Sequence, residues 1–260
     1  MSVTAELPSL LHSLRLPTIG NMWQSLLAQA ENEQWSHARY LTVLCEHEAN
    51  QRETRRIARF TRESGLPISK TITSFDFHAE MIPYKARIEA LSSTYDWVER
   101  ADNLLIFGPS GVGKTHLAAA IGHSLIEQGV RVRHFSSVSL VQMLQQARND
   151  LCLEDALHKL DKYAVIILDD IGYVRKSEAE THVLFELISY RYESGSIIVT
   201  SNQPFSGWES IFPDSAMTIA AIDLSACVHA QAGRLVHHST ILDIQAQSFR
   251  KRFAESRNKQ

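Results

Sequence analysis

Residues Leu104 to Ile126 constrain this chain more than any other stretch. Four apolar residues, Leu104-Leu105-Ile106-Phe107, run into Gly108-Pro109-Ser110-Gly111-Val112-Gly113-Lys114-Thr115, and His116 to Ile126 continues as an Ala- and Leu-rich helical pattern. A short apolar run before the turn is what a buried parallel strand looks like. The G-x-x-x-x-G-K-[ST] spacing of the turn is that of a phosphate-binding P-loop joining strand to helix. Glycines let the backbone approach a polyphosphate, and several N–H groups then converge at the helix N-terminus. Lys114 is placed to reach the β- and γ-phosphates. The hydroxyl of Thr115 is placed to ligate Mg²⁺, which keeps most of its waters and bridges phosphate oxygens.

The rest of the second half repeats the strand–helix theme. Apolar runs at Leu104 to Phe107, Arg131 to Phe135, Ala164 to Leu168, Ser196 to Thr200 and Thr240 to Ile244 alternate with helical patterns at Val138 to Ala147, Cys152 to Lys159 and Glu178 to Tyr192. That alternation predicts an α/β fold with a five-stranded parallel sheet, covered by helices on both faces. The first hundred residues differ. Helical periodicity in Leu7 to Leu14, Gly20 to Glu31 and Ser36 to Thr61 predicts a small all-α N-terminal domain over residues 1–66. Gly65-Leu66-Pro67 breaks the pattern, residues 67–100 read as a connector and a helix from Met81 to Arg100, and the α/β domain occupies 101–249.

A second chemical signal is Val165-Ile166-Ile167-Leu168-Asp169-Asp170. Four aliphatic residues followed by two acids place the carboxylates at the C-terminal edge of a buried strand, where ligands of open α/β sheets bind. Asp169 is assigned to the magnesium shell and Asp170 to orienting the attacking water. A complete strand and helix, 131–147, separate the P-loop helix from these acids, an arrangement suited to ATPases that insert a strand between the two. With no Asn-Lys-x-Asp guanine-reading sequence, ATP is the expected nucleotide. Thr200-Ser201-Asn202 ends the next strand, and Asn202 would stand near the γ-phosphate if that strand neighbours the P-loop strand; the same residues also have the composition of a turn.

Composition excludes several classes. The chain of 260 residues has a net charge of −3 and no apolar stretch approaching membrane-spanning length. Its N-terminus does not have the make-up of a signal peptide, so a cytoplasmic protein is expected. Cys45, Cys152 and Cys227 form no C-x-x-C pair, and the twelve histidines follow no metal-ligand spacing, so neither a disulfide framework nor a zinc site is expected. Residues 250–260 form a basic tail with Arg250, Lys251, Arg252, Arg257 and Lys259 against Glu255. Arg52, Arg55, Arg56, Arg59 and Arg62 recur at helical spacing, which puts them along one side of a helix. Such a stripe suits either a solvated charged face or a DNA phosphate backbone.

These segments, with Leu184-Phe185-Glu186-Leu187-Ile188, Arg191-Tyr192-Glu193, Thr200 to Phe205 and Arg234-Leu235-Val236-His237-His238, resemble the IstB-like helper ATPases of insertion sequences, relatives of the DnaC helicase loaders in the AAA+ class of P-loop ATPases. The resemblance implies an ATPase that assembles as a homo-oligomer on double-stranded DNA and delivers it to the transposase of the same element. It implies sensor duty for Asn202 and a finger role for Arg234, reaching into a neighbouring subunit's nucleotide, and it favours DNA contact for the arginine stripe. A helicase-loading adaptor that uses ATP as a switch is the alternative, and a small-molecule kinase fits less well. The chain departs from the family by ten residues, Leu224 to Gly233, between Asp223 and Arg234. Arg250 is the one candidate for a lid arginine.

Overall fold

The computed structural model describes residues 3–171, 177–192, 194–203 and 239–246. The Leu224 to Gly233 insertion, Arg234, Arg250 and the basic tail lie outside these described residues. Contacts divide the chain into two compact units, Met1–Arg59 and Phe60–Gln260. Among the described residues, no helix is long and apolar enough to cross a membrane.

The first unit holds α1 (Val3–Ser13), α2 (Pro17–Asn32) and most of α3 (His37–Ser64). Its core is Leu11, Ile19, Trp23, Leu26 and Leu44. Burying each such side chain contributes about 1.5–3 kcal/mol against leaving it exposed. Pro17 opens α2, where a missing N–H is harmless. The residue before it, Leu16, has no side chain able to cap the helix. The cap comes from α3 instead. Glu48, 4% exposed, accepts from the backbone N–H of Thr18 at 2.8 Å and of Ile19 at 3.2 Å.

The predicted break after α3 is present. Gly65 takes φ 70°, the left-handed conformation that ends helices and that glycine adopts without strain. The expected helix from Met81 to Arg100 is divided instead. A 3-10 turn at Ala79–Met81 leads into α4 (Ile82–Ser93), Thr94 is extended, and α5 (Asp96–Glu99) follows. The kink buries Trp97, whose indole N–H donates to the Leu91 carbonyl at 3.2 Å.

Five parallel strands follow: β1 (Asn103–Phe107), β2 (Val132–Ser136), β3 (Val165–Asp169), β4 (Ser196–Ser201) and β5 (Ser239–Asp243). Their order across the sheet is β2-β3-β4-β1-β5. The strand between the P-loop strand and the acidic strand is therefore β4; β2, which intervenes in sequence, goes to the sheet edge. Leu105, Phe107, Ile166, Leu168, Ile197 and Val199 alternate onto one face, packing with α7 (Ser137–Asn149), α8 (Leu153–His158) and α9 (Glu178–Arg191). On the other face Ile167 lies so close to Gly122 of α6 (Lys114–Glu127) that an added Cβ there would sit 2.9 Å from its Cδ1. α4 packs on the outside of α6, which explains why α6 is buried almost all round.

Candidate nucleotide site

The turn after β1 is built on left-handed glycines. Gly108, Gly111 and Gly113 have φ of 148°, 85° and 100°, conformations that side chains oppose. Space reinforces this at two of them. A Cβ on Gly108 would stand 2.6 Å from the Ile244 carbonyl oxygen, and one on Gly113 would stand 2.7 Å from the Phe75 ring. Lys114 opens α6 and is 8% exposed. Its ammonium donates to the carbonyls of Gly108 at 2.8 Å and Pro109 at 3.0 Å, so a buried cation already sits over the loop that the motif reserves for phosphates.

β3 brings the first acid to this loop. The Thr115 hydroxyl donates to Asp169 Oδ1 at 2.9 Å, and the Thr200 hydroxyl, from β4, donates to the same oxygen at 2.6 Å. Nε2 of His134 lies 3.7 Å from Oδ2, beyond hydrogen-bond distance, and among the described residues that buried nitrogen has no hydrogen-bond partner. Burial works against ionisation of Asp169. The His134 imidazole and the Thr200 and Thr115 hydroxyls outweigh it and hold the carboxyl below the ordinary aspartate range. An ionised carboxylate beside a hydroxyl is a hard-oxygen donor pair that fits Mg²⁺, an ion held by one or two protein oxygens together with substrate phosphates. Among the described residues no group of three or more His, Cys, Asp and Glu is arranged as a protein-only metal cage.

Asp170 follows in a left-handed conformation, φ 64°, that few residues other than Asn, Asp and Gly tolerate. Its N–H donates to the Thr200 hydroxyl at 2.8 Å, and its carbonyl accepts from Ser137 at 2.8 Å. The sharp turn is thus pinned from two sides and carries the second carboxylate off the strand axis to an exposed position. β4 does neighbour β1, with Phe107 opposite Ser201. That register brings Asn202 beside Gly108 and Pro109 in a cavity of about 410 Å³, also lined by Glu80 and by residues from Asp243 to Ala246. Among the described residues the buried Oδ1 of Asn202 has no hydrogen-bond partner, as expected of an amide facing a site for a polar ligand.

The structure therefore gathers Gly108 to Thr115, Asp169, Asp170 and Asn202 at one end of the sheet. Sequence reasoning did not single out His134 or the double duty of Thr200, which joins both acids. Nor did it identify Tyr84 of α4, whose hydroxyl donates to the Asp243 carbonyl at 2.7 Å and accepts from the Gln245 N–H at 3.2 Å, bracketing the Ile244 that packs on Gly108. The alternation of β2 contained a weak signal for His134, since it shares a face with Ser136 at the strand end.

A family model described as IstB-like ATP binding protein matches residues 9–257. The chain belongs to that IstB-like family. A Sinorhizobium fredii relative, described as an insertion sequence ATP-binding protein, is 49% identical over 250 residues, covering 96% of this chain and 80% of its own. Among solved structures, DnaI is similar with a TM-score of 0.56 at 21% identity, covering 70% of this chain and 96% of its own. The DnaC helicase loader is similar with a TM-score of 0.50 at 21% identity, covering 72% and 99%. At that identity the likeness shows the fold alone, a P-loop α/β domain. Membership of the IstB-like family makes the chain an ATP-binding protein.

Of the five arginines of the stripe, all exposed on α3, two are engaged with Glu48. Arg52 Nε donates to Oε1 at 2.9 Å, and Arg55 Nη2 approaches the same oxygen at 3.4 Å. Arg56 pairs with Glu53 at 2.8 Å, both side chains half-exposed, a pairing of small energetic weight. The stripe is thus a mixture of anchored and loosely held cations.

Proposed function

We propose that this protein is an ATP-dependent DNA-binding helper of transposition, which assembles as a homo-oligomer on double-stranded DNA and recruits or activates the transposase of the same element. The observation that carries the ATPase part is the Thr115 hydroxyl on Asp169 at 2.9 Å, joining the P-loop to the acidic strand. The insertion-sequence relatives support the setting. The fold shared with the DnaC helicase loader does not by itself assign a helicase as partner.

In this reading the loop N–H groups and the Lys114 ammonium bind the polyphosphate, Lys114 exchanging carbonyl partners for phosphate oxygens. Thr115 and Asp169 would hold Mg²⁺, which would supply charge neutralisation for the transferring phosphoryl group. Asp170 orients the attacking water and accepts its proton, and Asn202 positions that water. Arg234 serves the nucleotide of a neighbouring subunit, so turnover depends on assembly. The arginines of α3 take DNA backbone phosphates without reading bases.

ATP hydrolysis measured with and without duplex DNA, for wild type, Asp170→Asn and Arg234→Ala, tests the proposal. Expected is DNA-stimulated turnover in wild type that falls in both variants, by roughly 100-fold or more for loss of a transition-state contact. Nucleotide binding with no turnover in any of the three overturns the hydrolytic reading and favours a nucleotide-switched adaptor.

A further inference from the structure

The first unit contains a groove of about 1040 Å³ that the nucleotide site does not use. Its lining includes His12, Arg15, Arg52 and Arg55, with Glu48 between the last two. Glu48 is buried to 4% exposure, yet its neighbours favour the ionised form. Burial opposes its charge, and the Arg52 guanidinium with the Ile19 and Thr18 N–H groups outweighs that and keeps its carboxyl below the ordinary range. One oxygen caps α2. The other gathers Arg52 and Arg55.

The two guanidinium groups are fixed at further points. Arg52 Nη2 donates to the Arg15 carbonyl at 2.6 Å, and Arg55 donates to the Thr18 hydroxyl at 3.1 Å and to the Gln51 carbonyl at 3.1 Å. Among the described residues these bonds use Nε and Nη2 of both and leave the Nη1 donors uncommitted, on side chains that are still 53% and 51% exposed. With Arg15 exposed in the same lining, the groove holds three arginines and one carboxylate, Glu48, whose two oxygens already accept four hydrogen bonds. A fixed arginine gives up less freedom on meeting a phosphate than a free one does. Bidentate geometry then suits a phosphodiester.

We propose that this groove is a preorganised phosphodiester-binding site for duplex DNA, with Arg15, Arg52 and Arg55 contacting the backbone and Glu48 acting as the residue that positions the two α3 arginines. The site deepens the DNA-binding reading above and rests on it. It divides the stripe, giving Arg52 and Arg55 fixed contacts and leaving Arg56, Arg59 and Arg62 outside the groove. It also adds Arg15, which lies outside the stripe.

The test exploits a difference in sign. Glu48→Gln removes a negative charge within a Debye length of bound phosphate, so charge alone makes binding tighter. Loss of positioning makes it weaker, because the amide keeps an acceptor for α2 but cannot hold two guanidinium groups. The affinity of the full-length protein for a fluorescently labelled duplex is measured across a salt series, with helix content and melting temperature followed by circular dichroism. Expected is about three- to tenfold weaker binding for Glu48→Gln, and for Arg15→Ala a similar loss with the salt slope reduced by about 1. Arg15→Ala leaves the Glu48 cap untouched, so it decides the matter even if Glu48→Gln unfolds the unit. Tighter binding by a folded Glu48→Gln, an unchanged Arg15→Ala, or displacement of the duplex by inorganic phosphate at matched ionic strength would overturn the site while leaving DNA binding in place. If the wild type fails to bind duplex, the broader DNA reading falls as well.

Discussion

Asp169 is the residue on which the nucleotide site turns, because three side chains from three different elements converge on its carboxylate. Its pKa is lowered in the fold, so the carboxyl contributes stability that is fully present above the unfolded value, near 3.9, and is lost as pH falls through the folded one. Chemical denaturation of wild type and Asp169→Asn at a series of pH values should therefore show a stability difference that is flat from about pH 5 to 8 and shrinks below about pH 4. A difference that persists unchanged down to about pH 2 would argue against this linkage. Little of this was legible beforehand. The string Asp169-Asp170 after four aliphatic residues announced the acids, but the hydroxyls that meet them come from positions 54 and 31 residues away. Spacing rules reach only neighbours on one helix or strand, and the same limit hid Glu48, which caps a helix 29 and 30 residues earlier.

Elements were far more legible than their arrangement. Each of the five strands lies where its run predicted; β1, β3 and β4 are buried along nearly their whole length and carry the apolar runs such burial needs, whereas the outer strands β2 and β5 are only partly buried and their runs are broken by polar residues. Order across the sheet is set by packing between elements, which no run of residues encodes, so the place of β4 had to be seen. One arginine shows how such packing is secured. At the end of α9, Arg191 is 3% exposed and donates to the carbonyls of Tyr163 at 3.0 Å and Ala164 at 2.9 Å, tying the start of β3 to the helix that precedes β4. Burial lowers its pKa to about 10, which leaves it charged at neutral pH. Gly195 makes room for it: a Cβ there would fall 2.1 Å from Arg191 Nη2. Gly195→Ala should cost about 1–3 kcal/mol through this overlap. Combined with Arg191→Ala, it should add far less than its separate effect, and a thermal-melt double-mutant cycle measures that coupling.

For the molecule as a whole, the two compact units carry different chemistry: a helical unit with a guanidinium-lined groove, and a sheet unit with a phosphate loop. Ligand linkage offers a way to address them separately. A non-hydrolysable ATP analogue with Mg²⁺ at about 100 times its Kd should raise the stability of the unit that binds it by about 2.7 kcal/mol. Hydrogen exchange should register this as slowed exchange of the β1 and β3 amides, such as Leu105 and Ile166. Strand amides that exchange at an unchanged rate would argue against binding at the Gly108 to Thr115 loop. Finally, β1 and β3 share no hydrogen bond, because β4 runs between them. β4 therefore acts as the gauge of the site, and the gap between phosphate loop and acid is one strand wider than in a sheet where the two are adjacent. Variation along β4 would change the spacing of loop and acid from a distance, whereas the edge strand β2 lies outside that gap and reaches the acids only from the far side, through His134 and through Ser137 just beyond its end.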